Sequence, residues 1–300
     1  MKTNLYIEFQ LIDRCNWNCS YCNYASKFNL NKEIEFDEET VLNIDTVSSV
    51  IDKIKSFCDI HLLAQGGEIG LLSREKLNFF FERMKQREIT ISTNGEFIKN
   101  DYHLIFDKFI GQVHYHVVED YDQKYQRFFY KENDKIIPGA VITKFDIEFL
   151  KDFIQSNEYL KYLDFEFPLN GELSESIYNN VIQCRKFLID NFPHLYDNCS
   201  NNILWFDELL KYQDGCKNCN RIVTIDFVNN KLLLCSVKNR HISIDLNRQN
   251  LVKLLTEFMV YNTMNSNCKT CIRNCFSFDK NYITNHIFTK NKLKRILNDS

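Results

Sequence analysis

Over roughly its first 197 residues the sequence alternates short apolar runs with stretches of helical spacing. That alternation restricts the chain to a parallel sheet with right-handed crossovers. Strands are predicted over 5–12, 60–64, 88–92, 112–118, 140–143 and 162–167. Helices are predicted between them. The one over 38–57 places Val41, Ile44, Val47, Val50, Ile51 and Ile54 on one face behind Asp37 as N-cap. Others are predicted over 73–86, capped by Ser73, and over 147–154 and 176–189. Six strand–helix units are too few to close an eightfold barrel. The expected fold is therefore α/β, a partial (β/α)6 TIM-like barrel with its functional loops at the C-terminal strand ends.

The pattern changes near residue 198. Runs over 222–227 and 231–234, joined through Asn229-Asn230, predict a β-hairpin, and 251–261 predicts a helix. Six of the 12 cysteines fall between Cys216 and Cys275, which marks a second, cysteine-bearing region. The expected domains are 1–197, the barrel, and 198–300, the smaller unit. The basic stretch Lys290–Arg295 reads as a solvated helix face.

Twelve cysteines in a small secreted chain would mean disulfides. This one has 300 residues and opens Met1-Lys2-Thr3-Asn4 directly into its first strand, with no secretory pattern. No apolar stretch approaches the ~18 residues of a membrane span. The expectation is a reducing cytoplasm with cysteines serving as metal ligands. A net charge of −3 gives no electrostatic reason to expect nucleic acid as a partner.

Immediately after the first predicted strand comes Cys15-Asn16-Trp17-Asn18-Cys19-Ser20-Tyr21-Cys22, a C-x3-C-x2-C loop. Three closely spaced thiolates can hold three irons of a [4Fe–4S] cluster and leave the fourth to an external chelate. A zinc site, or surface thiols, is the alternative that spacing alone leaves open. The loop resembles the signature of the radical S-adenosylmethionine (SAM) superfamily, including the aromatic Tyr21 before the last cysteine. The resemblance implies that SAM occupies the fourth iron and is cleaved reductively to a 5′-deoxyadenosyl radical that abstracts hydrogen from substrate. Gly66-Gly67-Glu68, after the second strand, resembles the family's GGE motif, which binds the SAM ammonium. Ile69-Gly70 follow where the family often has Pro. Ser92-Thr93-Asn94-Gly95 resembles the TNG-type segment that faces the SAM carboxylate or ribose. Taken singly, each segment also reads as an ordinary strand-ending turn. Their order, each after a predicted strand, supports the family reading.

Cys216-x2-Cys219 before the hairpin, Cys235 at its end, and then Cys268-x2-Cys271 and Cys275 resemble the Twitch and SPASM auxiliary-cluster domains of that superfamily. Six cysteines fit one auxiliary [4Fe–4S] cluster better than two. Cys219, Cys235, Cys268 and Cys271 are the favoured ligands, with Cys216 and Cys275 as spare thiols or alternatives. A structural zinc ribbon has the same paired knuckles and is the competing reading. Cys58, Cys184 and Cys199 stand alone and carry no assigned role. His114 and His116 alternate on a strand, and Glu8 and Glu166 lie in strands where they would face the barrel interior.

The implied activity is hydrogen abstraction from a small molecule or peptide, for oxidation, with the auxiliary cluster taking the remaining electron. An electron donor of the flavodoxin or ferredoxin type is implied as partner. Redox-neutral epimerisation and peptide maturation are the alternatives within the family. A scaffold or electron-transfer protein, holding iron–sulfur or zinc without catalysis, is the alternative of another class. Ser236 stands where sulfatase-type maturases place an Asp base. The start of the first strand near residue 5 leaves no leader-binding domain within this sequence.

Overall fold

The computed structural model describes residues 3–17, 19, 22, 32–56, 58–85, 87–118, 135–156, 164–166, 175–193, 222–234 and 243–251. Among these, nine strands form one sheet: β1 (Thr3–Gln10), β2 (Cys58–Gln65), β3 (Ile89–Thr93), β4 (Ile110–Val118), β5 (Ile136–Val141), β6 (Asp164–Glu166), β7 (Ile222–Asp226), β8 (Lys231–Leu234) and β9 (Ser243–Asp245). Their spatial order is β6-β5-β4-β3-β2-β1-β7-β8-β9. From β1 to β6 every neighbouring pair is parallel. The six expected strands are all present, laid side by side in chain order as successive right-handed crossovers produce.

Among the described residues the α-helices are α1 (Glu38–Ile54), α2 (Arg74–Arg83), α3 (Glu96–Lys99), α4 (Tyr102–Ile105), α5 (Ile147–Ser156) and α6 (Glu175–Asn191). None is long and apolar enough to cross a membrane. The N-cap of α1 is Asp37, whose carboxylate accepts from the Thr40 amide at 2.8 Å. Ile44, Val47, Val50, Ile51 and Ile54 are buried along its inner face. Ser73 caps α2 by accepting from the Lys76 amide at 3.3 Å. Ser73→Ala should cost about 1 kcal/mol, the usual worth of such a cap, measurable as a lower urea midpoint at unchanged slope.

β1 is buried on both faces, as a central parallel strand must be. Leu5, Ile7 and Phe9 occupy one face, and Glu8 and Gln10, each 4% exposed, the other. Phe9 packs edge-on against Phe80 of α2 at 5.5 Å and stacks on Phe227 at 6.0 Å. One face of β1 thus meets the helical layer, and its polar residues point to the opposite side.

The expected hairpin is present as β7–β8, antiparallel, with Val223 opposite Leu234. β7 lies parallel to β1, with Glu8 opposite Thr224, so sequence from beyond residue 198 extends the main sheet. The helix expected over 251–261 lies outside the described residues beyond its first position. So do Tyr21, Cys199 and the C-terminal cysteines 216, 219, 235, 268, 271 and 275.

Candidate functional site

The cysteine loop leaves the sheet at the C-terminal end of β1, and its neck is paired on both sides. On one side residues 32–34 return antiparallel. Ile12 bridges Glu33, the Ile34 amide donates to the Leu11 carbonyl at 2.8 Å, and the Asp13 amide donates to the Lys32 carbonyl at 3.0 Å. The buried Asp13 carboxylate accepts from the Lys32 amide at 2.6 Å. Lys76 of α2 ties the returning segment down, donating to the Ile34 carbonyl at 2.8 Å and pairing with Glu33 at 2.9 Å.

On the other side lie Gly66 and Gly67, which continue β2. The Gly67 amide donates to the Ile12 carbonyl at 2.8 Å, and the Glu68 amide to the Arg14 carbonyl at 2.9 Å. Gly66 has φ +139°, a left-handed conformation, and a Cβ there would lie 2.5 Å from the Ile12 oxygen. A Cβ on Gly67 would lie 2.0 Å from the Arg14 oxygen. The glycines are therefore required by the approach of this turn to the cysteine loop itself.

Glu68 joins this turn to the end of β3. It is 1% exposed, and its carboxylate accepts from the Gly70 amide at 2.8 Å, the Thr93 hydroxyl at 2.7 Å and the Asn94 amide at 2.6 Å. Burial pushes its carboxyl up to about 7, against the lowering effect of those three donors. An unfolded chain releases this proton near 4.5, whereas the folded chain holds it to about 7. The folded state is thus favoured below that window and loses this advantage as pH rises through it. Glu68→Gln should flatten the dependence. Urea unfolding of both proteins from about pH 5 to about pH 8 should show a smaller decline for the variant. Equal slopes would mean that Glu68 does not titrate in this range.

Thr93, buried, turns its hydroxyl oxygen to the Gly95 amide at 3.0 Å and so shapes the start of α3. Asn94 reaches the cysteine loop. Its side-chain amide donates to the Asn16 side-chain oxygen at 2.8 Å and approaches the Cys15 Sγ at 3.6 Å. The Trp17 backbone amide approaches the same sulfur at 3.4 Å. Cys19 and Cys22 are joined by a backbone bond from the Cys22 amide to the Cys19 carbonyl at 3.0 Å. The three motifs therefore meet at one place. Ser92 lies on the face of β3 opposite Thr93, in register with His114 of β4.

The donor set bears on what the loop can hold. Cys15, Cys19 and Cys22 are all reduced and partly exposed. Burial raises the Cys15 thiol to about 11, with Glu68, Cys19 and Cys22 adding to the rise and the Trp17 amide opposing it. Neutral solvent alone leaves that thiol protonated, and a bound cationic centre is what would compensate three thiolates here. Among the described residues no three Cys, His, Asp or Glu side chains converge on a single ion. A cubane takes each thiolate on a different iron, so its ligands surround a volume instead of a point. Three free thiols on one loop are the donor set that such a cluster takes.

Glu8 accepts from the Thr224 hydroxyl at 2.8 Å across the β1–β7 pair. Cys184 is fully buried in α6, where desolvation raises its thiol to about 12. His114 contacts Gln112 at 3.4 Å, and His116 lies opposite Gly139. Asn16 and Asp13 are not singled out by the sequence, and neither are Gln10 and Gln65, paired in register at the strand ends below the loop. The Gln10 Oε1 and Gln65 Nε2 atoms are buried with no hydrogen-bond partner among the described residues. Gln10 follows Glu8 at the strand period of two, a signal that could have singled it out.

No protein-family model matches the sequence, and no curated protein matches it significantly. Solved structures do match. The structure of anSMEcpe with bound AdoMet and the Cp18Cys peptide aligns over 99% of each chain, at TM-score 0.59 and 13% identity. Streptococcus suis SuiB bound to S-adenosylmethionine aligns over 90% of this chain and 71% of its own, at TM-score 0.55 and 14% identity. SuiB bound to its precursor peptide SuiA gives the same TM-score at 13% identity. The chain shares its fold with these proteins.

Proposed function

We propose that this chain is a radical SAM enzyme. The observation that carries the reading is the hydrogen-bonded chain from Glu68 through Asn94 to Cys15, which joins three motifs distant in sequence at the strand ends. The shared fold with two proteins whose structures contain AdoMet supports it. Cys15, Cys19 and Cys22 would hold a [4Fe–4S] cluster, with SAM on the remaining iron. Bound there, the cluster supplies the electron that cleaves SAM to the 5′-deoxyadenosyl radical. Tyr21, Gly66, Gly67, Glu68, Ser92, Thr93 and Asn94 would surround SAM. The buried Glu68 contributes by fixing the turns of β2 and β3 against each other.

The finer reading keeps the C-terminal cysteines in view. Cys219, Cys235, Cys268 and Cys271, with Cys216 and Cys275 as alternatives, would hold an auxiliary [4Fe–4S] cluster that accepts an electron from a substrate radical. The reaction is then oxidation of a small molecule or peptide in a cytoplasmic enzyme reduced by a flavodoxin or ferredoxin. The test is anaerobic reconstitution followed by dithionite and SAM. The expected result is 5′-deoxyadenosine, released in one-to-one ratio with oxidised product once substrate is supplied. A chain that takes up only zinc, or a cluster-loaded chain that never cleaves SAM, would refute the proposal. Solvent deuterium in a product of unchanged oxidation state would instead identify an epimerase.

A further inference from the structure

We infer that Asn94 tunes the reduction potential of the cluster through a hydrogen bond from its side-chain amide to the Cys15 sulfur, an inference that rests on the function proposed above. The geometry leaves this side chain little freedom. Its backbone amide is held by the Glu68 carboxylate at 2.6 Å, and its side-chain oxygen accepts from the Glu96 amide at 3.4 Å. One amide hydrogen goes to the Asn16 oxygen at 2.8 Å, which orients the other towards the Cys15 Sγ at 3.6 Å. The Trp17 amide is the second donor on that sulfur.

An N–H aimed at a thiolate draws electron density from the iron it ligates. The one electron taken from an external reductant adds negative charge to the cluster, and a donor at the sulfur stabilises that form more than the oxidised one. The potential therefore rises, and the cluster is easier to reduce. Asn94 is in this sense a positioning residue with an electrostatic output. Asn16 only steadies it.

The experiment is an EPR-monitored redox titration of the anaerobically reconstituted full chain with dithionite, following the cluster signal that changes on adding SAM. Asn94→Ala should disfavour the reduced cluster about tenfold, a midpoint lower by ~59 mV for one electron. Asn16→Ala, which keeps the Asn94 amide, should move the midpoint by less than half as much. An unchanged midpoint in Asn94→Ala with full iron content would overturn the inference, as would an equal shift in both variants, which would assign the effect to loop position. Should Asn94→Ala fail to hold the cluster, the Asn16→Ala protein decides. Labelled with 15N only in asparagine side-chain amides, its reduced cluster should show a weak 15N coupling, and absence of that coupling rejects the hydrogen bond. A wild-type chain that assembles no such cluster would count against the proposed function and is distinguishable from every outcome above.

Discussion

Replacing Cys15, Cys19 and Cys22 together with alanine is expected to remove about four iron and four sulfide per reconstituted chain and to abolish 5′-deoxyadenosine formation. About four of each should remain if the C-terminal cysteines hold a second cluster. The loss should be complete because the loop, residues 15–31, contains no cysteine beyond these three and no His, Asp or Glu. Among the described residues near it, Glu68 is committed to three donors and Asp13 to the Lys32 amide. Folding should survive, since the neck is closed by backbone bonds on either side that do not involve the sulfurs. Iron and sulfide analysis, with the urea midpoint as a check on folding, decides the matter. Unchanged iron content would place the cluster elsewhere.

Gly67→Ala is expected to be severe for a different reason. The added Cβ would sit 2.0 Å from the Arg14 oxygen, 2.6 Å from its carbon and 3.0 Å from its nitrogen. These are backbone atoms with no rotamer to change, so the turn and the loop must separate. Over-packing of this kind costs about 3 kcal/mol, and here it also breaks the bonds from Gly67 and Glu68 to the neck. Arg14 precedes Cys15, so cluster uptake should fall along with stability. A variant with wild-type urea midpoint and full iron would show that the two segments do not meet in solution.

Much of this was legible in the sequence. The six parallel strands followed from the alternation of apolar runs with helical spacing, and the caps Asp37 and Ser73 were readable from their residue types. The fifth strand is expected over 140–143 but runs Ile136–Val141, with Pro138, a residue that lacks a backbone donor, opposite Tyr115. The single-turn helices α3 and α4 and the short strand β9 carry too few residues to show a period. In the site, the motifs were visible but their joining was not. Glu68 meets Thr93 and Asn94 because β2 and β3 pair with Leu63 opposite Thr90, and a register is a property of two strands. For the same reason the close approach of Gly66 and Gly67 to Ile12 and Arg14 appears only once the strands are laid side by side.

The place of β1 between β2 and β7 has a consequence for synthesis. One edge of β1 can be covered once about 65 residues exist, by β2. The other edge waits for Thr224, which lies 216 positions from its partner Glu8. Contacts this distant in sequence form slowly, and an open strand edge invites wrong pairing while it waits. A nascent chain therefore carries its finished cysteine loop on a half-covered strand until the last third emerges. The neck of that loop is by then already paired with residues 32–34 and with the Gly66-Gly67 turn, so what waits for β7 is the outer edge of β1.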